Sequence, residues 1–466
     1  MKPESNTDTA TVDTAFINCE IVTEAGWSEP GMGIAVADGK ISSIGAASAL
    51  PPADKRVDLK GNVLAPGVID AHVHTRSPGH EYKEDWETAT RAAAAGGVTT
   101  VIAMPNTQPA IDSPERVQDV FETADAEAHV DYQTHAVVTS ENATNLAGLA
   151  EADIAGFKIF LGITFGEIEA PTDGEMYTAM EQISQFDKRL GFHEENDEIR
   201  AHLEAKFKRE GRTEAIAHNE SRPPIAEAEA VSRVCLLGDD VDCPLHMFHL
   251  SSGSAAETLA EWQAKGVDAT AETCPHYLWF TDDAVRELGT VARVQPPLRT
   301  AEERDGLWRG VADCTVGCIA TDHAPHTDDE KGVGNPSQSV WDTPGGFVGI
   351  ETQVPAMLTF VENGRLTLTK WAEMHSAAPA KTWGLYPEKG SLMPGTDADF
   401  IVVDLEKEWR LDRKQLKSKS TATVWDGEQF NGSVEATVVR GEVVYDGTKI
   451  LSKPGNGARA ESGPVR

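Results

Sequence analysis

The chain has 466 residues, 40% of them hydrophobic, enough for a large core and more than one small domain. Asp plus Glu number 75 against 41 Lys plus Arg, a formal net charge of −34 spread along the chain, which argues against nucleic acid or an anionic membrane surface as partner and suggests a folded, salt-adapted (halophilic) protein. No run is apolar enough to span a bilayer, no secretory signal opens the chain, and the six cysteines form no CxxC pair, so the cytoplasm is the expected location.

Residues 1–14 read as a flexible tail. Residues 15–62 carry short strand patterns with Asp38-Gly39 as a hairpin turn. Residues 385–451 repeat this texture, with Arg440-Gly441 at a turn. The two ends are expected to form one small β-sandwich, split by residues 63–384, with 452–466 a second loose tail. Between them, apolar strands at 67–74, 98–104, 130–138, 154–161, 190–195, 244–251, 267–274 and 317–322 alternate with helical patterns such as Trp86–Ala95 and Pro114–Ala128. Eight such units predict a (β/α)8 barrel of the TIM-like kind, an α/β fold. An open doubly wound sheet is the lesser alternative, because no glycine-rich dinucleotide fingerprint opens a unit.

The chemistry-bearing residues fall on this scheme in order. His72 and His74 stand two apart at the end of the first strand, so they share a face. Lys158 lies on the fourth, His193 ends the fifth, His249 the sixth and Asp322 the eighth. The C-terminal ends of barrel strands are where such folds keep their active sites. A lone histidine here is an ordinary core residue, and Asp322 alone could be a helix cap. The joint placement is what points to metal.

Lys158 sits among apolar neighbours in Gly156-Phe-Lys-Ile-Phe160. Burial favours its neutral amine, which can add CO2 and become a carbamate able to bridge two metals. The plainer alternative is a lysine paired with a carboxylate or reaching solvent. With the carbamate, His72, His74 and Asp322 would hold one divalent ion and His193 and His249 the other, with Lys158 between. Imidazole and oxygen ligands suit Zn²⁺ first, with Mn²⁺, Co²⁺ or Fe²⁺ compatible. Two metals roughly 3.5–4 Å apart can share a hydroxide and polarise a carbonyl. Asp322 would be the catalytic general base, then acid, in hydrolysis of an amide or imide.

These residues carry a family resemblance. From Asn62 to about Val444 the sequence resembles the amidohydrolase superfamily, and within it the archaeal-like dihydroorotases with a bridging lysine. The matching stretches are Asp70-Ala-His-Val-His-Thr-Arg76, Met104-Pro-Asn-Thr107, Phe157-Lys-Ile-Phe160, Pro296-Pro-Leu-Arg299, Thr321-Asp-His-Ala-Pro-His326 and Lys389-Gly390 with Gly395-Thr-Asp-Ala-Asp399. The resemblance implies reversible cyclisation of N-carbamoyl-L-aspartate to L-dihydroorotate, a step of pyrimidine synthesis, with the ligand roles just given. It implies substrate contacts from His74, Arg76, Asn106, His326, Gly345 and Gly346. Arg76, two past His74, can offer its planar fork to the substrate carboxylate. Asn106 and His326 would share that carboxylate, and Gly345 and Gly346 in the long 327–346 loop would approach the ring.

Two stretches depart from the dihydroorotase pattern. Gln295 stands where Asn is expected before Pro-Pro-Leu-Arg; its amide keeps the same groups on a longer stem. Glu272-Thr-Cys-Pro-His-Tyr-Leu278 is more similar to allantoinases and hydantoinases, which makes that activity the enzymatic alternative. A metal-free scaffold is the alternative of another class, disfavoured because all six ligand positions are filled. A homo-oligomer stays open.

Overall fold

The computed structural model describes residues 11–162 and 168–465. Eight parallel strands form one sheet: β1 Val68–Val73, β2 Val98–Ala103, β3 Asp131–Val137, β4 Gly156–Phe160, β5 Leu190–His193, β6 Leu245–Met247, β7 Ala269–Thr273 and β8 Cys318–Ile319. All eight lie within the predicted strands. Past β8 the chain closes the barrel onto β1: Val73 bridges His323, and the His74 amide donates to the His323 carbonyl at 2.9 Å. Asp70 staples the same seam, accepting from the Thr321 amide at 3.1 Å and the Thr321 hydroxyl at 2.6 Å.

The strands read as apolar runs because helices cover the outside and side chains fill the inside. Every residue of β1 and β2 is buried. Inside, the Phe248 ring occupies the space a side chain on Gly191 would need. The predicted helix Trp86–Ala95 starts at a capping box between Asp85 and Thr88. Ser113 caps Pro114–Glu127, with proline at the first helical position.

The two chain ends meet in a mixed nine-stranded sheet with its own core, including Phe16, Ile34, Phe400 and Val438. Asp38 and Gly39 both have positive φ, at 51° and 74°, and so do Arg440 and Gly441, at 45° and 78°. Two left-handed residues are what a two-residue hairpin turn requires. Val63–Pro66, expected at the start of the barrel, belongs to this sheet instead: it pairs with Phe400–Arg410 and with Val12–Thr23. Its apolar character suits burial in either layer, so composition could not choose.

The tails also differ from expectation. Residues 1–10 lie outside the described residues, but Val12–Thr14 already form strand, paired to Ala53–Lys55 and Val36. The segment after 452 is not loose. It runs beside β3, with the Tyr132 amide donating to the Ala458 carbonyl and the Ala460 amide to the Tyr132 carbonyl, at 3.1 and 2.9 Å. Backbone pairing holds it, and backbone pairing leaves little trace in a Gly/Pro-rich composition. Among the described residues, no helix is long and apolar enough to cross a membrane.

Candidate active site

The C-terminal ends of the barrel strands bring the predicted ligands together. His72, His74 and Asp322 place one ligand atom each within 4.8 Å of one another, all buried. Asp322 Oδ1 lies 3.4 Å from His72 Nε2 and 3.1 Å from His74 Nε2. The far ring nitrogens define the tautomers. His72 Nδ1 donates to Glu272 Oε1 at 2.8 Å and His74 Nδ1 donates to Asn106 Oδ1 at 2.7 Å. Both Nε2 atoms therefore aim lone pairs at a carboxylate oxygen. Three acceptors converge with no proton between them, an arrangement a cation satisfies.

His193 and His249, the two further candidate ligands, stand beside this group. His193 Nδ1 faces His249 Nε2 at 3.0 Å, and the His249 ring centroid is 5.0 Å from that of His72. His193 Nε2 donates to Glu195 at 2.9 Å, and Arg222 pairs with the same carboxylate. The His249 Nδ1 atom is buried without a partner.

Lys158 lies on β4 beneath this group, fully buried, and its ammonium has no hydrogen-bond partner. No carboxylate among the described residues comes within ion-pair distance; the Phe248 ring lies 3.7 Å from Nζ to centroid. The paired-lysine alternative is not what the structure shows. Burial lowers the Lys158 pKa to about 7, against the pull of Glu194, Glu272 and Asp322. Its amine is thus available neutral, beside four imidazoles. The donor set as a whole fits divalent metal: converging buried lone pairs, and an amine that no carboxylate pairs with among the described residues.

Three site residues carry backbone strain. Arg76, His249 and Asp322 have φ of 61°, 38° and 47°, a left-handed conformation that non-glycine residues seldom adopt. Each turns the chain off a strand end so that its side chain enters the cleft.

That cleft is lined by the candidate ligands His72, His74, His193, His249 and Asp322, and by Arg76, Asn106, Gln295, Gly345 and Gly346. A Cβ on Gly345 would come within 2.9 Å of the Gln295 side chain, so glycine there gives Gln295 its room. Arg76 is buried, and burial lowers its pKa to about 10, still cationic at neutral pH. Its Nε donates to the Pro325 carbonyl at 3.1 Å. His326 stands behind Arg76 and is absent from the lining. Its Nδ1 lies 3.0 Å from Lys83 Nζ and its Nε2 lies 3.0 Å from the Gly345 carbonyl, so the ring bonds protein on both sides.

Three supporting residues were not singled out in the sequence: Glu272, Glu195 and Arg222. Glu272 also reaches His246 Nε2, at 3.3 Å. A signal existed for Glu195, which follows His193 by two and so continues the face of a strand end. None existed for Glu272, whose partner His72 is 200 residues away.

This barrel with its polar end matches a known family. The model for "Amidohydrolase family" matches residues 63–444, and the chain belongs to that family. Within it, the chain is 36% identical over 414 residues to a dihydroorotase of Geobacter sp. strain M21, covering 88% of this chain and 94% of that one. It is 35% identical over 424 residues to an allantoinase of Rubrobacter xylanophilus, covering 90% and 92%. Among solved structures, an L-hydantoinase (dihydropyrimidinase) from Arthrobacter aurescens superposes with a TM-score of 0.92 at 30% identity, covering 96% and 99%. The relatives share cyclic amide hydrolysis; they divide over the ring.

Proposed function

We propose that the protein is a dihydroorotase, acting in the cytoplasm in pyrimidine synthesis. One observation carries this choice of ring. Arg76 and Asn106 line the cleft beside His74 and Asp322, where they can meet a substrate carboxylate. Dihydroorotate bears such a carboxylate; allantoin and hydantoin are uncharged. Asn106 spends its oxygen on His74 and keeps its NH2 for the ligand. Arg76 supplies the fork.

His72, His74 and Asp322 would hold one divalent ion, His193 and His249 a second, and Lys158, as its carbamate, both; Zn²⁺ suits the set best. To form the carbamate, the neutral Lys158 nitrogen bonds the carbon of CO2 and releases a proton. The metals would supply polarisation of the scissile carbonyl and a water nucleophilic at neutral pH. Asp322 takes the proton of the attacking water. As the ring C–N bond breaks, it passes that proton to the leaving nitrogen, giving N-carbamoyl-L-aspartate; the reverse path closes the ring. Arg76, Asn106 and Gln295 orient the ring, and the backbones of Gly345 and Gly346 face it.

The Glu272–Leu278 stretch favours a second reading, allantoinase, since its sequence is more similar to allantoinases and hydantoinases and the relatives include an allantoinase. The deciding experiment is kcat/KM for dihydroorotate, carbamoyl aspartate, allantoin and hydantoin, with bound metal measured on the same sample. We expect metal-loaded enzyme that prefers the first two. Preference for allantoin would sink the dihydroorotase reading, and metal-free protein with no activity would favour a scaffold.

A further inference from the structure

Residues 411–428 leave the nine-stranded sheet between its strands Phe400–Arg410 and Gln429–Val439 and reach two loops of the barrel. One loop follows β1 and carries Arg76. There the Ser420 hydroxyl donates to the Lys83 carbonyl at 2.7 Å. The other follows β8 and carries Asp322. There the Val348 amide donates to the Ala422 carbonyl at 3.1 Å, and the Thr423 hydroxyl to the Val348 carbonyl at 2.8 Å.

A buried carboxylate joins the three segments. Glu84, 0% exposed, accepts from the Ser418 hydroxyl at Oε2 and from the Lys419 amide at Oε1, the latter at 3.0 Å. His323 Nε2 lies 3.6 Å from Oε2, and this ring is also 0% exposed. His323 Nδ1 accepts from the Gly349 amide at 3.2 Å and the Ile350 amide at 3.4 Å. The ring hydrogen therefore sits on Nε2 and faces Glu84. That N–H has no hydrogen-bond partner of its own among the described residues.

His323 directly follows Asp322, whose φ of 47° is left-handed. Such a conformation costs of order 1–3 kcal/mol in a non-glycine residue and persists only where the surroundings fix it. The main chain fixes one side: the His323 carbonyl accepts from the His74 amide, and the Ala324 amide donates to the Phe347 carbonyl at 3.1 Å. The His323 ring fixes the other. A drift of the turn carries the ring with it, against Glu84 and the Gly349 and Ile350 amides.

We propose that His323 and Glu84 are positioning residues for Asp322, and that the 411–428 excursion, through Ser418 and Lys419, holds Glu84 for that task. The proposal rests on the reading of Asp322 as the base. Neither residue lines the cleft, so neither meets the substrate there. Asp322 must reach a water and then a leaving nitrogen, and about 1 Å of misplacement can cost roughly 10²-fold in rate.

The test is kcat, KM and Tm for Glu84→Gln and Ser418→Ala, alone and combined with Asp322→Asn, with metal in excess and bound metal measured. Glu84→Gln replaces one acceptor oxygen by a donor; kcat should fall roughly 10–100-fold, with KM within about twofold and bound metal as in the parent. His323→Asn keeps an acceptor for the two amides but loses the reach to Glu84, so it should behave like Glu84→Gln. Ser418→Ala should cost roughly 3–10-fold in kcat. In the Asp322→Asn background, Glu84→Gln should add less than about twofold, because no base is left to position. Losses that multiply in that background, or parent-like kcat in folded Glu84→Gln, would overturn the proposal. Should Glu84→Gln fail to fold, Ser418→Ala runs the same cycle. If Asp322→Asn alone keeps the parent's rate, the base reading falls and the positioning roles with it. If Asp322→Asn is crippled and Glu84→Gln is not, the positioning roles alone fall.

Discussion

Two regions of this protein bury ionisable groups at close quarters, and they handle them in opposite ways. At the catalytic end, Lys158 has no partner and three ligand atoms of His72, His74 and Asp322 face one another. At the seam between the barrel and the nine-stranded sheet, Asp131, Asp397 and Asp399 lie equally close together. There a lysine sits in their midst. Lys389 Nζ is 2.7 Å from both Asp397 and Asp399 and also pairs with Asp131. Arg440 pairs with Asp131, and Lys40 with Asp397 at 2.8 Å. Spacing alone would nominate both clusters as metal sites. Compensation separates them: the seam is complete within the chain, and the catalytic end is complete only with something bound.

The comparison can be broken most sharply at Asp322. Asp322→Asn keeps the shape and removes the base, so kcat should fall roughly 10²–10⁴-fold while Tm holds. A variant that turns over at more than a tenth of the parent's rate would mean the proton moves through another group. Next comes Arg76→Met, which should lower kcat/KM for dihydroorotate by about 30- to several-thousand-fold, the equivalent of ~2–5 kcal/mol. Bound metal should stay normal. Parent-like turnover would show that the carboxylate is held elsewhere.

At the seam the pattern should invert. Lys389→Met leaves three carboxylates without their lysine and should cost about 3–5 kcal/mol of stability, with kcat per folded molecule unchanged. Denaturant melts with parallel assays check this, and a loss of kcat in folded protein would merge the two regions. The pH dependence sharpens the same point. Burial opposes the Lys389 ammonium, but Asp399 and Asp397 outweigh it and hold its pKa above the ordinary 10.5. Its contribution is then fully present below the unfolded value and lost as pH rises through the folded one. The stability gap between parent and Lys389→Met should stay level across neutral pH and close only above about pH 10.5. A gap already shrinking at pH 8 would contradict the pairing. The smallest effect concerns neither region. Surface repulsion from the −34 charge should be screened by salt, raising Tm from dilute buffer to molar KCl in parent and Lys389→Met alike.

Much of the architecture was legible because burial leaves a periodic trace. Barrel strands covered on both faces read as short apolar runs, and Asp38-Gly39 and Arg440-Gly441 announced their turns through a glycine, which takes positive φ without penalty. The candidate ligands His72, His74, His193, His249 and Asp322 were legible because each sits at or just past a strand end, where chain order translates directly into position. Val63–Pro66 and the segment after 452 were misread, since backbone pairing chose their neighbours and backbone is common to all residues.

By itself, then, the sequence determined which side chains could do chemistry and roughly where along the strands they would lie. Residue type and short-range periodicity are local properties. Only the tertiary structure decided which of them would be left without a partner. Glu272 orients His72 across 200 residues, Glu195 and Arg222 hold His193, and His326 bonds protein on both ring nitrogens behind Arg76. Whether a buried charge is neutralised depends on every element packed around it, and those elements meet only when the barrel closes.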